Sequence, residues 1–213
     1  MVINEIHSIY KEKKSEIVAR ISDFKRKWIE ADESLIFHEL LFCLLTPQAK
    51  AKNAWNAVER LIESGDLYKG DKKIISTYLN TVRFKNNKAS YILEARNKFL
   101  YNGNPKIIDK ISENIELFEK RKWLVKNIKG FGFKEASHFL RNIGFVEEIT
   151  ILDRHIIRNL KLLDIIKDIP NSISELKYYE IEKKMLIFSE NIQIPAEHLD
   201  LLFWYKENGE IFK

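Results

Sequence analysis

Apolar side chains recur at three- and four-residue spacing along almost the whole chain, for example at Ile17, Ile21 and Phe24. This spacing places them on one face of an α-helix. Glycine and proline are scarce, with seven and four in 213 residues, so long irregular segments are not expected. Two strand-like runs, around 149–152 and 192–194, are too short for a sheet. The sequence therefore predicts an all-α protein.

The length allows one large domain or two smaller lobes around a sizeable core. The chain has no run of about eighteen uncharged apolar residues, which a membrane helix requires. Its first residues lack the basic-then-apolar pattern of a signal peptide, so a cytoplasmic protein is expected. The formal net charge of +5 is compatible with a polyanionic partner, although many basic proteins bind no nucleic acid.

Residues 34–45 are apolar almost all round a helix, which indicates a central buried helix. This run contains Cys43, the only cysteine, and a free cysteine in such a place behaves as a small buried hydrophobe. A single cysteine excludes a disulfide within the chain and any cysteine-based zinc or iron–sulfur site in it.

The tripeptide Gly130-Phe-Gly132 separates two predicted helices. Its two glycines permit positive φ angles and a close approach of the backbone to another molecule. The N–H groups that open the following helix can then bind a phosphate, and Lys126, Lys129 and Lys134 add positive charge around the turn. The alternative is an ordinary helix–turn–helix corner in which glycine ends the first helix.

Lys134 falls in the first turn of the second predicted helix, where the helix dipole disfavours its ammonium form. A neutral lysine amine is a nucleophile suited to Schiff-base chemistry at an aldehyde-like carbon. Asp153 follows nineteen positions later, at the end of the apolar run 149–152. It can cap the helix that begins at Arg154, serve as a catalytic carboxylate, or do both. For His155, a structural or DNA-backbone role is favoured over acid–base chemistry.

Together these residues resemble the helix–hairpin–helix DNA glycosylase superfamily. Segment 127–142 and the C-terminal segment 200–213 resemble the archaeal-type 8-oxoguanine DNA glycosylase/AP lyases, which are short all-helical enzymes. The resemblance implies a two-lobed fold with the active site in the cleft between the lobes. One lobe would span 30–145 and end in the helix–hairpin–helix at about 118–144. The other would combine 1–29 with 146–213.

The resemblance implies a bifunctional DNA N-glycosylase and AP lyase. Lys134 matches the family's nucleophile, which attacks C1′ of the damaged nucleotide, displaces the base and forms an imine. β-Elimination then cuts the strand. Asp153 matches the carboxylate that stabilises the developing sugar cation and assists proton transfers. The damaged base must first be flipped out of the duplex.

Four further residues match positions that contact the substrate in this family. Gln48, in a loop whose Pro47 is expected to open the next helix, would fill the gap left by the flipped base; a simple capping loop is the alternative. Phe84 and Trp204 would form the two faces of the base pocket, with core packing as the alternative. The carboxylate of the final residue, Lys213, would accept a hydrogen bond from protonated N7 of 8-oxoguanine, whereas guanine N7 is itself an acceptor.

The resemblance also implies contacts with the DNA backbone, through Gly130, Gly132, Lys129 and His155. The carbonyls of Lys126, Ile128 and Phe131 match those that hold a monovalent cation in related hairpins. No cofactor is required, and the iron–sulfur cysteine set of endonuclease III-like members is missing. The expected protein is a monomer that acts on double-stranded DNA containing 8-oxoguanine, associates with the nucleoid in the cytoplasm and has no membrane partner.

Three other functions are compatible with the same residues. The first is a glycosylase/lyase for another oxidised base, such as an oxidised pyrimidine. A second alternative is a non-catalytic helix–hairpin–helix module that only binds DNA. A third is an unrelated all-helical interaction protein. The lysine separates the leading hypothesis from adenine glycosylases of the superfamily, which lack it and cannot form the imine.

Overall fold

The structure is a computed structural model that describes residues 3–113 and 116–213. Within these residues the chain forms twelve α-helices and one pair of short strands. The helices are α1 (Ile3–Ile29), α2 (Glu33–Leu45), α3 (Ala51–Glu63), α4 (Asp66–Lys69), α5 (Lys72–Tyr78), α6 (Lys85–Phe99), α7 (Ile108–Ser112), α8 (Leu117–Asn127), α9 (Phe133–Asn142), α10 (Arg154–Leu162), α11 (Glu175–Asn191) and α12 (Ala196–Asn208). The antiparallel strands are β1 (Leu100–Tyr101) and β2 (Asn104–Pro105), with Leu100 opposite Pro105. The predicted all-α fold is confirmed.

The chain divides into two compact units. The first, which we call the hairpin unit, comprises Lys27–Phe139 and contains α2 to α8 with most of α9. The second, which we call the terminal unit, combines Met1–Arg26 with Leu140–Lys213 and contains α10 to α12 with most of α1. Each unit buries its own set of apolar side chains.

Helix α2 is the centre of the hairpin unit's core, since every residue from Ile36 to Leu45 is buried. The prediction of a central buried helix is therefore confirmed. Its start is set by Asp32, whose side chain accepts hydrogen bonds from two N–H groups of the first turn, as an N-cap does. The buried carboxylate of Glu39 is paired with the Lys27 ammonium at 2.6 Å.

The expectation that Pro47 opens a helix is wrong. Helix α3 begins only at Ala51, and the intervening residues form a turn in which the Ala49 N–H donates to the Thr46 carbonyl at 3.0 Å. Gln48 has a φ of 55°, a left-handed conformation that a right-handed helix cannot contain. The turn leaves the Gln48 side chain exposed.

The core of the terminal unit is built from α1, α11 and α12. Its fully buried side chains include Ile17, Phe24, Tyr178, Ile181, Met185, Leu199, Leu201 and Phe203. Pro195 precedes the last helix, and Gly209 ends it with a φ of 74°, a left-handed conformation that is common for a glycine at the end of a helix. Among the residues that the structure describes, no helix is both long enough and apolar enough to cross a bilayer.

Candidate active site

The hairpin joins α8 to α9, and its first glycine has an intramolecular reason to be there. Gly130 adopts a φ of 93°, which glycine alone adopts without strain. A Cβ atom at this position would also lie 2.6 Å from Cδ2 of Tyr91, well inside van der Waals contact. The glycine therefore allows both the turn and the packing of the hairpin on the Tyr91 ring.

The second glycine of the hairpin behaves differently, since only Gly130 uses the positive φ that both glycines permit. Gly132 does not have a positive φ. Its N–H donates to Oε2 of Glu135 at 3.1 Å, and its carbonyl accepts from the Ala136 N–H at 3.0 Å. Gly132 is thus the N-cap of α9, and Glu135 reaches back as the third-position acid of a capping box does.

Lys134 is the second residue of α9, so its predicted place in the first turn is confirmed. Its side chain is 25% exposed, and its ammonium donates to Oγ1 of Thr46 at 3.4 Å. The more buried carboxylate of Glu135 lies 3.3 Å from the same nitrogen. The amine is therefore partly sheltered from water, within reach of a proton acceptor and accessible from outside.

A second lysine, which was not predicted from the sequence, lies close to Lys134. Lys88 is 3% exposed, and its ammonium donates to the carbonyls of Leu45 at 2.8 Å and Pro47 at 2.6 Å. Burial, and secondly the positive charge of Lys134, lower the pKa of Lys88 to about 8. Its spacing from the buried Ile92 and Ala95 of α6 is the signal that places it on the inner face.

Gln48 and Phe84 share an unusual backbone conformation. Their φ angles are 55° and 60°, in the left-handed region where residues other than glycine are strained by about 1–2 kcal/mol. Phe84 precedes α6, and its carbonyl accepts the Lys88 N–H at 3.0 Å. Its side chain is 51% exposed, with the Arg83 guanidinium 5.0 Å from the ring centroid. Core packing therefore does not account for Phe84.

The hairpin lysine Lys129 is exposed and forms an ion pair with Glu94 at 2.8 Å. The Glu94 carboxylate raises the pKa of Lys129, so the cation is retained at neutral pH. Beside this pair is a pocket of about 430 Å³, lined by Glu94, Lys98 and the residues 125–131. The three residues whose carbonyls are the predicted cation ligands, Lys126, Ile128 and Phe131, belong to this lining.

In the terminal unit, Asp153 caps α10. Its Oδ1 accepts the N–H of His155 at 2.7 Å and that of Ile156 at 2.9 Å. The predicted N-cap is confirmed, and the side chain keeps part of its surface exposed. Because one oxygen receives both bonds, the second carboxylate oxygen is available for another partner or for chemistry.

The backbone that leads to Asp153 is held by side chains of α11. Glu182 accepts the Thr150 N–H at 2.9 Å. The Tyr178 hydroxyl donates to the Thr150 carbonyl at 2.7 Å and accepts the Leu152 N–H at 3.2 Å. These bonds satisfy the polar groups of a buried segment that lacks a strand partner. Neither residue was predicted from the sequence, and both lie on the buried face of their helix.

Trp204 and His155 are in contact within the terminal unit. Their rings meet edge to face with centroids 5.6 Å apart, and His155 Nδ1 lies 3.4 Å from a carboxylate oxygen of Glu207. Asn159 donates to the other oxygen of Glu207 at 3.3 Å. These contacts link α12, which carries Trp204, to the helix that Asp153 caps. Lys213, the last residue of the sequence, is partly exposed.

Two solved structures that match this architecture are 8-oxoguanine DNA glycosylases. The crystal structure of Methanocaldococcus jannaschii 8-oxoguanine glycosylase/lyase in complex with a 15-mer DNA containing 8-oxoguanine matches with a TM-score of 0.88 and 32% identity, over 99% of both chains. The 8-oxoguanine DNA glycosylase of Thermotoga maritima matches with a TM-score of 0.86 and 28% identity, over 99% of this chain and 98% of that one. The class defined by fold and hairpin is therefore the DNA glycosylase.

Sequence comparisons narrow this class. The family model for 8-oxoguanine DNA glycosylase matches residues 17–194. An 8-oxoguanine DNA glycosylase/AP lyase of Fusobacterium nucleatum is 48% identical over 99% of this chain and 97% of its own length. One from Methanocaldococcus jannaschii is 34% identical over the full length of both chains. The chain belongs to the 8-oxoguanine DNA glycosylase family.

Proposed function

We propose that this chain excises 8-oxoguanine from double-stranded DNA and then cuts the strand by β-elimination. The observation that carries the proposal is the position of Lys134, an accessible amine on the first turn after the hairpin with Thr46 and Glu135 within 3.4 Å. Adenine glycosylases of the superfamily lack this lysine. Membership of the 8-oxoguanine family and the similarity to a relative solved with 8-oxoguanine DNA support the choice of substrate.

The reaction begins with a proton transfer and an attack. The Lys134 ammonium loses a proton, and the Glu135 carboxylate, 3.3 Å away, can accept it. The free amine attacks C1′, the C1′–N9 bond breaks, and its electron pair leaves with the base, which takes up a proton. Opening of the sugar ring then gives an imine between C1′ and Lys134. Loss of a C2′ proton expels the 3′ phosphate, and hydrolysis of the imine regenerates the lysine.

Asp153 is assigned to the charge that develops on the sugar as the C1′–N9 bond breaks. A carboxylate is stabilising there because the transition state resembles an oxocarbenium ion. Its two backbone hydrogen bonds fix the side chain, and a fixed charge needs no reorganisation when the transition state forms. In this role capping and catalysis are compatible, since they use different oxygens.

Base recognition is assigned to four residues. The exposed Gln48 would fill the gap in the duplex, and its strained turn holds the side chain outward. Phe84 and Trp204 would enclose the flipped base, and the half-exposed Phe84 ring is available for stacking. The carboxylate of Lys213 would accept a hydrogen bond from the N7–H group that distinguishes 8-oxoguanine from guanine.

The hairpin is assigned to the DNA backbone through Gly130, Gly132 and Lys129, with His155 as a further contact. Contacts of this kind position the protein without reading sequence. A monovalent cation bound by the carbonyls of Lys126, Ile128 and Phe131 would add positive charge next to a phosphate. We place the protein at the nucleoid in the cytoplasm as a monomer that requires no other cofactor.

Borohydride trapping tests the proposal. The protein is mixed with a duplex that carries one 8-oxoguanine, sodium borohydride is added, and the covalent complex is resolved by gel electrophoresis. The wild type is expected to give a covalent band, because borohydride reduces the imine. Lys134→Gln should give none while still binding DNA, and Lys122→Gln, at an exposed lysine of α8, should trap like the wild type.

Other results separate the alternatives. Trapping that persists in Lys134→Gln would overturn the assignment of the nucleophile. A wild-type protein that traps on a duplex with an oxidised pyrimidine, but not with 8-oxoguanine, would identify another oxidised base as the substrate. DNA binding without trapping on any lesion, between about pH 6 and 9, would indicate a non-catalytic binding module.

A further inference from the structure

The buried lysine of α6 links two parts of the candidate site. Lys88 is 3% exposed, and lysine is almost never buried to this extent without partners because the ammonium loses its hydration. The partners are the carbonyls of Leu45 and Pro47. Both belong to the end of α2 and the turn that follows it, far from Lys88 in sequence.

These two carbonyls flank Thr46, the residue that contacts the candidate nucleophile. The Thr46 hydroxyl donates to the Cys43 carbonyl at 3.0 Å and accepts from the Lys134 ammonium at 3.4 Å. Lys88 thus binds the backbone on both sides of Thr46, whose hydroxyl orients Lys134. Any shift of this turn would move the hydroxyl away from the amine.

Lys88 also acts through its charge. Two charged side chains of α9, Lys134 and Glu135, act on the pKa of Lys88. Repulsion by Lys134 adds to burial in lowering the pKa of Lys88 to about 8, and Glu135 opposes both. At pH 7 Lys88 is therefore still mainly protonated, and its ammonium holds the two carbonyls with charge-assisted hydrogen bonds. Above about pH 8 the ammonium loses its proton, and these hydrogen bonds weaken.

We propose that Lys88 is a positioning residue for the lysine chemistry: its ammonium, bound to the carbonyls on both sides of Thr46, holds the Thr46 hydroxyl against Lys134. This inference rests on the proposed function, in which Lys134 is the nucleophile. A purely structural role is the competing explanation, because the last carbonyls of a buried helix need donors and favour a cation. A structural cap would change stability, but its loss would not alter the pH profile of the reaction.

The test measures strand cutting in a single turnover on a duplex with one abasic site, so that base recognition plays no part. Enzyme is in excess, and the pH runs from about 6 to 9.5. Lys88→Gln keeps a hydrogen-bond donor without the charge, and Lys88→Arg keeps both. The matched control is Lys120→Gln, at another buried lysine that donates to a backbone carbonyl, that of Ile111 at 2.8 Å. DNA affinity and circular dichroism are recorded for each variant.

At pH 7 Lys88→Gln is expected to cut about tenfold more slowly than the wild type, which corresponds to about 1.4 kcal/mol in the activation free energy, with unchanged DNA affinity. The deficit should shrink as the pH rises past about 8, where Lys88 of the wild type itself loses its charge. Lys88→Arg and Lys120→Gln should cut at the wild-type rate at pH 7.

A deficit of Lys88→Gln that is equal at every pH, or absent, overturns the inference while the proposed function stands. If Lys88→Gln does not fold, Lys88→Arg decides, because a folded, DNA-binding Arg variant that cuts about tenfold more slowly at pH 7 contradicts a role for the charge. A wild-type protein that cuts no abasic DNA overturns the proposed function, and this inference with it.

Discussion

The ring of Tyr91 lies 2.6 Å from the position that a Cβ atom would occupy on Gly130. The first glycine of the hairpin is therefore required by the packing of α6 as well as by its φ of 93°. Gly132, two residues later, lacks both constraints: its φ is not positive, and a Cβ atom there would meet only the flexible end of Glu135 at 3.1 Å. The two glycines of one motif should therefore respond differently to the same substitution.

Gly130→Ala is expected to lower the free energy of unfolding by about 2 kcal/mol or more, since it combines a left-handed alanine with overpacking. Gly132→Ala should cost less than about 1 kcal/mol, the usual difference at an N-cap. Urea denaturation of both variants measures the two values. Equal losses of unfolding free energy in the two variants would contradict the packing on Tyr91. In a protein that already carries Tyr91→Ala, the substitution Gly130→Ala should lower the free energy of unfolding by less than it does in the wild type.

Because Gly132→Ala is expected to fold, it also tests whether the hairpin binds a phosphate. If the backbone of the second glycine approaches DNA closely, the added methyl group should raise the dissociation constant for a duplex. The loss should be the same for damaged and undamaged DNA, since a backbone contact carries no base information. An unchanged dissociation constant would remove Gly132 from the DNA-backbone contacts.

Substitutions of Asp153 separate its capping role from its chemical role. Asparagine is as good an N-cap as aspartate, so Asp153→Asn should keep the free energy of unfolding, whereas Asp153→Ala should lose about 1 kcal/mol. Both variants should excise 8-oxoguanine at least about a hundredfold more slowly, because both lack the negative charge. Thermal unfolding and single-turnover excision provide the two readouts. An active Asp153→Asn variant would leave Asp153 with the cap alone.

Lys88 should make stability depend on pH in the alkaline range. Its pKa is lowered from 10.5 in the unfolded chain to about 8 in the folded protein, so between these values the unfolded state binds more protons. The free energy of unfolding of the wild type should therefore rise with pH in this window, by up to about 3 kcal/mol relative to Lys88→Met. Below about pH 8 the difference between the two proteins should not change with pH.

Urea denaturation at pH 7, 8, 9 and 10 (roughly the interval between the two pKa values) measures this difference. Lys85→Met is the control, since Lys85 lies on the same helix and its ammonium donates to Oδ1 of the exposed Asn80 at 2.8 Å. The control should run parallel to the wild type. A Lys88→Met curve that also runs parallel would show that Lys88 is not buried as a cation.

Deletion of Lys213 tests the base pocket. The truncated protein should excise 8-oxoguanine more slowly but cut a duplex with an abasic site at the wild-type rate, because the second substrate has no base to recognise. A tag fused after Lys213 should have the same effect, and a tag at the N-terminus should have none. Equal losses on the two substrates, or no loss on either, would contradict a role of the terminal carboxylate in selecting the base.

Local signals in the sequence were sufficient for much of the helical structure around the site. The glycine hairpin, Lys134 in the first turn of α9 and Asp153 as the cap of α10 were all predicted correctly. Each depends on residues within one or two turns of one another: apolar spacing, a capping side chain or a break in the helix. The start of α3 was predicted wrongly, because the left-handed Gln48 interrupts a pattern that otherwise favours a helix from Pro47.

The surroundings of these residues depend on contacts that are distant in sequence. Lys88 bonds a carbonyl 43 positions away, and Tyr178 bonds one 28 positions away. Nothing in the spacing of a lysine or a tyrosine specifies which distant carbonyl it meets. Glu135 lies only three residues from Gly132, yet the hydrogen bond that it accepts from the Gly132 N–H was not predicted from the sequence.

The sequence by itself determined the helical class, the hairpin, the candidate nucleophile and the capping aspartate, because these follow from short-range periodicity and backbone chemistry. Only the tertiary structure decided that the buried ammonium of Lys88 binds the turn beside Lys134 and that the Tyr91 ring packs against Gly130. Burial and electrostatic coupling depend on which distant segments pack together, and it is this packing that brings a lysine with a pKa of about 8 close to the candidate nucleophile.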